Sequence, residues 1–277
     1  MSRYWIDILL EYRCTRLPHV IYVPLAIFLA TAAYSGADNA DAGEWFFAAV
    51  LCYGLVVQFR LWDDLADIEE DRLRDPGRLL CRLQSTSGAN RLLVIVSMVV
   101  LPLVLYRNAF GAGSWVYFAL LAITAAWYGG GSRGDLSIAT RSRIQLCKYP
   151  LFVLIVAPAP WPSGMPWLAV SMLMVYLSFV IFEFLDDDRI AVGKYAGAEL
   201  GAYLLFISVL WFVPLVTPGG DRILPGYVFA ALMLAAVALL AVLYRQRSGG
   251  GRPAALHYSI FVASFLSVAY SGSMGAL

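Results

Sequence analysis

The sequence predicts an all-α membrane protein, and three observations carry that expectation. The chain has 277 residues, 61% of them hydrophobic and 14% charged, with a mean hydropathy of +0.72. That is too apolar for a soluble domain of this size. Its apolar residues gather into nine stretches, roughly 17–35, 43–62, 91–107, 113–130, 145–161, 166–184, 199–217, 226–244 and 255–275, each near the ~20 residues that cross a bilayer as a helix. The basic residues, finally, are sorted between alternate connections.

In chain order, residues 1–16 come first. They are amphipathic, with Tyr4, Trp5, Ile8 and Leu9 set among Arg3, Asp7, Glu11 and Arg13. This segment is expected to lie on the membrane surface and not to be a cleaved leader. The apolar stretches then alternate with connections of two kinds. Those on one side are short. Those on the other, about 63–90, 131–144 and 185–198, are longer and hold most of the charge. Pro and Gly inside several stretches are compatible with membrane helices. Gly129-Gly130-Gly131 and Gly249-Gly250-Gly251 read as breaks between helices and fit no phosphate-binding loop.

The net charge of +1 is uninformative, but its distribution is not. Of the 20 Lys and Arg residues, all but Arg107 and Arg222 fall in the N-terminal segment or in alternate connections. The positive-inside rule then places the N-terminus in the cytoplasm and the C-terminus outside, in an inner membrane of the bacterial type. The expected domain is a single one, 1–277, with its helices around a cavity open to the cytoplasmic face. Cys14, Cys52, Cys81 and Cys147 show no metal-ligand spacing and are expected to form no disulfide. His19 and His257 are isolated and read as packing residues. No nucleic-acid partner is expected.

Chemistry is concentrated where the second stretch ends. Asp63, Asp64, Asp67 and Asp71 follow the apolar run Trp45 to Leu61, and Arg72, Arg74, Pro76 and Arg78 come next. On a helix Asp64, Asp67 and Asp71 are spaced three and four apart and share a face. Carboxylates so placed repel one another unless cations neutralise them, and hard oxygen ligands of this kind suit Mg2+, which completes its shell with water and phosphate oxygens. A second cluster, Glu183, Asp186, Asp187 and Asp188, ends the sixth stretch with the same three-and-four spacing. An acidic run in a cytoplasmic connection is usually solvated surface. Two of them at helix ends on one membrane face, with Glu183 at the edge of an apolar run, point instead to a functional site. The halves then read as two comparable helical units, each supplying a metal-binding wall. Basic residues on this face, among them Arg72, Arg78, Arg133, Arg141, Arg143, Lys148, Arg189 and Lys194, would neutralise phosphate charge.

These residues carry a resemblance to the UbiA superfamily of intramembrane prenyltransferases. The superfamily's first motif reads N-D-x-x-D-x-x-x-D followed by D-R-x-x-x-P-x-R. Here Asp63 stands at the Asn position, Asp64, Asp67 and Asp71 match the aspartates, and Asp71-Arg72, Pro76 and Arg78 match the tail. The looser second motif, D-x-x-x-D with Gly-Lys downstream, corresponds to Glu183 and Asp187, with Asp186 and Asp188 as rival ligands and Gly193-Lys194 following. The departures are Asp63 for Asn, Glu183 for Asp, Leu79 for a Pro, and Tyr128 followed by three glycines where aromatic-acceptor enzymes often carry Lys-Arg.

The resemblance implies nine transmembrane helices and Mg2+ held by both clusters: Asp63, Asp64, Asp67, Asp71, Glu183, Asp186 and Asp187, with Asp64, Asp67 and Asp187 central to catalysis. It implies an isoprenyl diphosphate substrate (geranyl, farnesyl or geranylgeranyl) that ionises to an allylic cation, its diphosphate held by Arg72, Arg78, Arg133, Arg143, Lys148, Arg189 and Lys194. Rings such as Tyr53, Trp127, Tyr128, Tyr149, Tyr176 and Phe182 would face the cation, although each aromatic taken alone also reads as packing. The cation would then attack an aromatic or lipid-like acceptor. Alternatively, as in UbiA-type terpene cyclases, it would fold back on its own double bonds. A transporter with acidic gates would need ionisable residues at mid-membrane, where the helices are almost free of them. The D-G-x-x-A-R pattern of a CDP-alcohol phosphotransferase is absent.

Overall fold

A computed structural model describes residues 10–12, 14–34, 41–74, 76–82, 86–130, 136–158, 165–186, 190, 196–216 and 264. Among these residues every regular element is a helix: α1 His19–Ala33, α2 Ala42–Ala66, α3 Ile68–Arg74, α4 Leu79–Arg82, α5 Ser87–Asn108, α6 Ala112–Gly129, α7 Ile138–Leu146, α8 Lys148–Val156, α9 Met165–Asp186 and α10 Ala196–Val216. The first seven apolar stretches each coincide with a helix. The eighth and ninth, 226–244 and 255–275, lie outside the described residues apart from Ser264.

The helices start and stop where local chemistry dictates. Asp41 caps α2 by accepting the Glu44 amide at 3.2 Å, and Ser137 caps α7 by accepting the Thr140 amide at 3.2 Å. Parts of the connections 63–90 and 131–144 are helical. Helix α2 runs on through Asp63 and Asp64 because nothing in Trp62 to Ala66 breaks it. α3 and α4 follow it, and α7 fills 138–146. The stretch 145–161 is interrupted at Cys147, and α8 begins at Lys148. α5 ends in two left-handed residues, Ala109 (φ 43°) and Phe110 (φ 62°), an unusual choice for side chains bearing Cβ.

Among the described residues α2 and α5 are long and apolar enough to cross a membrane, and the bent pair Leu10–Arg16 and Ile21–Ala33 counts as a third span if taken together. Shorter apolar helical segments are Leu168–Phe184 and Gly197–Leu210. With 25 residues, α2 is about 37 Å long at 1.5 Å per residue, more than the ~30 Å hydrocarbon core. Val94, Ile95, Met98 and Val99 of α5, Trp115 and Ile123 of α6, and Leu205, Phe206 and Val209 of α10 are exposed. Such surfaces suit lipid and not water, and they fit an integral membrane protein.

The chain divides into two compact units. The first comprises Met1–Ala30, Asp41–Gly131 and Phe152–Ala159; the second comprises Thr31–Ala40, Ser132–Leu151 and Pro160–Leu277. In the first unit α2 packs on α5, and α5 on α6. A buried polar link ties the three together: fully buried Gln58 of α2 donates to Ser97 Oγ of α5 at 2.9 Å, and its amide meets the Tyr117 hydroxyl of α6 at about 3 Å. Nearby, Asn108 donates to the carbonyls of Val104 and Ile155, each at 3.0 Å. Gly113 sits so close to the Ile155 carbonyl that a Cβ would lie 2.8 Å from it. In the second unit α9 packs on α7 and α10. Ser178 of α9 is hydrogen-bonded to Ser264 at 2.8 Å.

Two substitutions test this packing. Tyr117→Phe should lower stability by about 1 kcal/mol, the usual scale of an interhelical hydrogen bond in a membrane protein. Gly113→Ala should cost about 1–3 kcal/mol through overpacking. Both are read as reversible unfolding in mixed micelles, and a Gly113→Ala protein as stable as the parent would contradict the close approach.

Candidate active site

The end of α2 is where the acidic residues meet their partners. Asp64 is only 6% exposed, and a carboxylate there needs compensation. It has four donors. Arg16 grips it side-on, with Nε 3.0 Å from Oδ2 and an Nη on Oδ1. The Tyr12 hydroxyl donates to Oδ2 at 2.9 Å. Arg60, one turn earlier on α2, stands 3.5 Å from Oδ1. Tyr12 and Leu17 pack with Leu61, Ile68, Leu79, Leu80 and Ala89 in an apolar cluster directly beneath. The N-terminal segment is therefore anchored into the protein at Tyr12.

The other acidic residues of this cluster diverge from Asp64. Asp63 accepts a hydrogen bond from the Tyr128 hydroxyl of α6. Beside it stand Trp62, 6.4 Å from Tyr128 between ring centres, and Phe59, 6.0 Å from Trp62 and 5.2 Å from Phe152. Asp67 closes α2, its amide bonded to the Asp63 carbonyl at 2.9 Å, while its own carbonyl accepts the Asp71 amide at 2.8 Å as α3 begins. Asp71 pairs with Arg78. A small pocket is lined by Arg16, Asp64, Asp71, Arg78, Leu79, Leu80 and Cys81. Arg72 faces away from it, paired with Glu69 on its own helix at 2.8 Å.

The second unit holds the remaining described candidates. Glu183 is half-buried on α9. Arg143 pairs with Glu199, a residue not singled out in the sequence, and lies 6.0 Å from the centre of the Tyr203 ring. The Tyr176 hydroxyl donates to the Arg143 carbonyl at 3.4 Å. Lys148 is buried, its Nζ 5.5 Å from the Tyr149 ring centre, and Tyr149 stacks on Phe179 at 3.6 Å with the rings 5° from parallel. Tyr53 is half-buried on α2 in the first unit. Arg133, Asp187, Asp188, Arg189 and Lys194, and the side chain of Asp186, lie outside the described residues.

Among the described residues no group of three or more His, Cys, Asp or Glu side chains is gathered as a ready metal cage. The donor chemistry at the end of α2 nevertheless fits a hard divalent cation. The donors are carboxylate oxygens, and the two that line the pocket already attract positive charge, Asp64 from Arg16 and Asp71 from Arg78.

Residue spacing does not reveal Tyr12, Arg16, Phe59, Trp62 and Phe152 as neighbours of the acidic residues. Arg60 was legible as the i−4 partner of Asp64. Arg16 lies 48 residues from Asp64 and left no local signal. Because Asp64 neutralises Arg16 and Arg60 and accepts from buried Tyr12, Asp64→Ala should destabilise the fold by about 3 kcal/mol. Glu69→Ala, which removes an exposed carboxylate paired with Arg72 on its own helix, should cost under about 1 kcal/mol. Unfolding in micelles compares the two, and equal losses would contradict the clamp.

No protein-family model matches the chain, and no curated protein matches it. Solved structures do. One is a digeranylgeranylglyceryl phosphate synthase, with a TM-score of 0.62 and 13% identity over 96% of this chain and 99% of the other. Another is the apo structure of a UbiA homologue from Aeropyrum pernix K1, with a TM-score of 0.63 and 14% identity over 91% of this chain and 96% of the other. At such identities the likeness is one of fold, and it extends over nearly the whole length of each chain. The sequence motifs and the backbone thus converge: the chain has the fold of the UbiA homologues.

Proposed function

We propose that the chain is a Mg2+-dependent intramembrane prenyltransferase. It would ionise an isoprenyl diphosphate and transfer the prenyl group to an aromatic or lipid-like acceptor, with its N-terminus cytoplasmic. One coincidence carries the proposal: a UbiA-like backbone whose apolar helix α2 ends in Asp63, Asp64 and Asp67, with Asp71 on the short helix that follows. Those four carboxylates are the proposed metal ligands of the first unit. Glu183, Asp186 and Asp187 are proposed as further ligands on the strength of their sequence pattern alone. When bound, Mg2+ would neutralise diphosphate charge and make it a better leaving group.

The chain's own residues have separate tasks. Arg78 lines the pocket beside Asp71, and its planar fork suits a phosphate. Arg143, Lys148, Arg133, Arg189 and Lys194 are proposed to balance the remaining negative charge, with exposed Arg72 at the rim. The rings of Phe59, Trp62, Tyr128 and Phe152 form an aromatic wall beside Asp63. Such faces stabilise an allylic cation and keep water from it. Tyr149 stacked on Phe179, with Tyr176, offers comparable surface in the second unit.

That aromatic wall also suits the second reading, a UbiA-type terpene cyclase in which the cation closes on its own chain. One assay separates the two. Purified protein is incubated with geranyl, farnesyl and geranylgeranyl diphosphate, with and without Mg2+ and with and without membrane extract, and the organic products are analysed by mass spectrometry. Mg2+-dependent prenylation that needs the extract is the expected result; a cyclic product without extract would establish the cyclase. Asp67→Ala should lower turnover on the order of a hundredfold or more. Undiminished turnover in Asp67→Ala, or none of any diphosphate in the parent, would overturn the reading.

A further inference from the structure

We infer that Arg16 is an internal counter-cation that competes with the metal ion for Asp64, so that the ion enters the pocket only by exchange with this guanidinium. The inference rests on the metal site proposed above and extends it to a residue outside the acidic motifs.

A carboxylate offers about four lone-pair directions. At Asp64 three are filled by hydrogen bonds, Oδ2 by Arg16 Nε and Tyr12 and Oδ1 by an Arg16 Nη, while Arg60 stands 3.5 Å from Oδ1 as an ion pair. A cation that is to engage both oxygens of this carboxylate therefore has to displace a donor. Tyr12 is fixed, 3% exposed and packed in the apolar cluster with Leu61 and Leu80. Arg60 is on the same helix as Asp64, stands 3.5 Å from Oδ1 and is not part of the pocket lining. Arg16 does line the pocket, and it alone hydrogen-bonds to both oxygens, so its departure opens one direction on each.

The rest of the pocket supports exchange over simple addition. Its charged lining is Arg16, Asp64, Asp71 and Arg78, two positive and two negative groups. Adding a divalent ion to a neutral, half-buried set leaves an uncompensated double charge, which is costly. Displacing Arg16 relieves that cost, and the released guanidinium is then available for the phosphate that accompanies the metal. Arg16 is thus a positioning residue, acting on the reaction through the metal.

The test uses full-length protein in detergent with Mn2+ alone as the probe, free Mn2+ being counted by electron paramagnetic resonance. Arg16→Met should bind Mn2+ about tenfold more tightly than the parent, with Arg16→Lys in between. The gain should vanish when Asp64 is replaced by Asn, as a double-mutant cycle requires of a direct competition. Arg82→Met, which removes an exposed guanidinium paired with Glu11, should leave Mn2+ affinity unchanged. A second readout is thermal unfolding: Mn2+ should raise the melting temperature of Arg16→Met more than that of the parent, and Arg16→Lys gives the same comparison should the Met variant fold poorly. Equal or weaker Mn2+ binding by Arg16→Met and Arg16→Lys, or a gain that survives Asp64→Asn or appears equally in Arg82→Met, would overturn the competition while leaving the metal site standing. No Mn2+ binding by parent or variants would overturn both.

Discussion

The buried carboxylate of Asp64 is the constraint around which the first unit is arranged. A charge withdrawn from water at the end of an apolar helix costs several kcal/mol unless its lone pairs are filled by well-placed donors. Here the donors come from two directions. Arg60 comes from one turn back on α2, while Tyr12 and Arg16 come from the N-terminal segment. Satisfying Asp64 therefore fixes the positions of Tyr12 and Arg16. Tyr12 and Leu17 then close over Leu61, Ile68, Leu79 and Leu80. One electrostatic requirement thus locates an apolar cluster, the turn from α2 into α3, and the pocket that opens beside them.

That dependence separates what was legible in the sequence from what was not. Apolar stretches near twenty residues long announced the helices, because a bilayer admits few other spanning structures. The motif Asp63, Asp64, Asp67 and Asp71 announced the acidic end of α2. In the sequence 131–144 stands out only as a charged connection, with its helix unassigned. Ser137 caps a helix there, and Ile138 to Leu146 contains no breaker. Spacing puts Asp64, Asp67 and Asp71 on one face and, with Asp63, in one metal site, yet their neighbours differ: Tyr128 for Asp63, Arg16 for Asp64 and Arg78 for Asp71. Helical spacing gives direction around an axis and says nothing of what waits there. Arg16 and Phe152 come from distant parts of the chain, and only tertiary packing brings them in.

The aromatic residues teach the same lesson more gently. Tyr128 was expected to face a cation, and its ring does stand in an aromatic wall with Trp62, but its hydroxyl is committed to Asp63. A single side chain thus joins the acidic end of α2 to the apolar interior. Such a residue couples the polar and apolar halves of a site, which neither composition nor spacing reveals.

The buried link among Gln58, Ser97 and Tyr117 has a consequence for aim. Lipid-facing helices slide and roll easily, since one apolar face resembles another. A polar side chain that must meet fixed partners on two neighbouring helices removes that freedom, acting as a key in a slot. Asp63 is five residues further along α2 and Asp64 six, which at 3.6 residues per turn sets their azimuths at about 140° and about 240° from Gln58. With the key in place, one points to α6 and the other to the N-terminal segment, and any roll of the helix would misdirect both at once. A neutral amide deep among apolar residues thus sets the bearing of the charged groups at the surface.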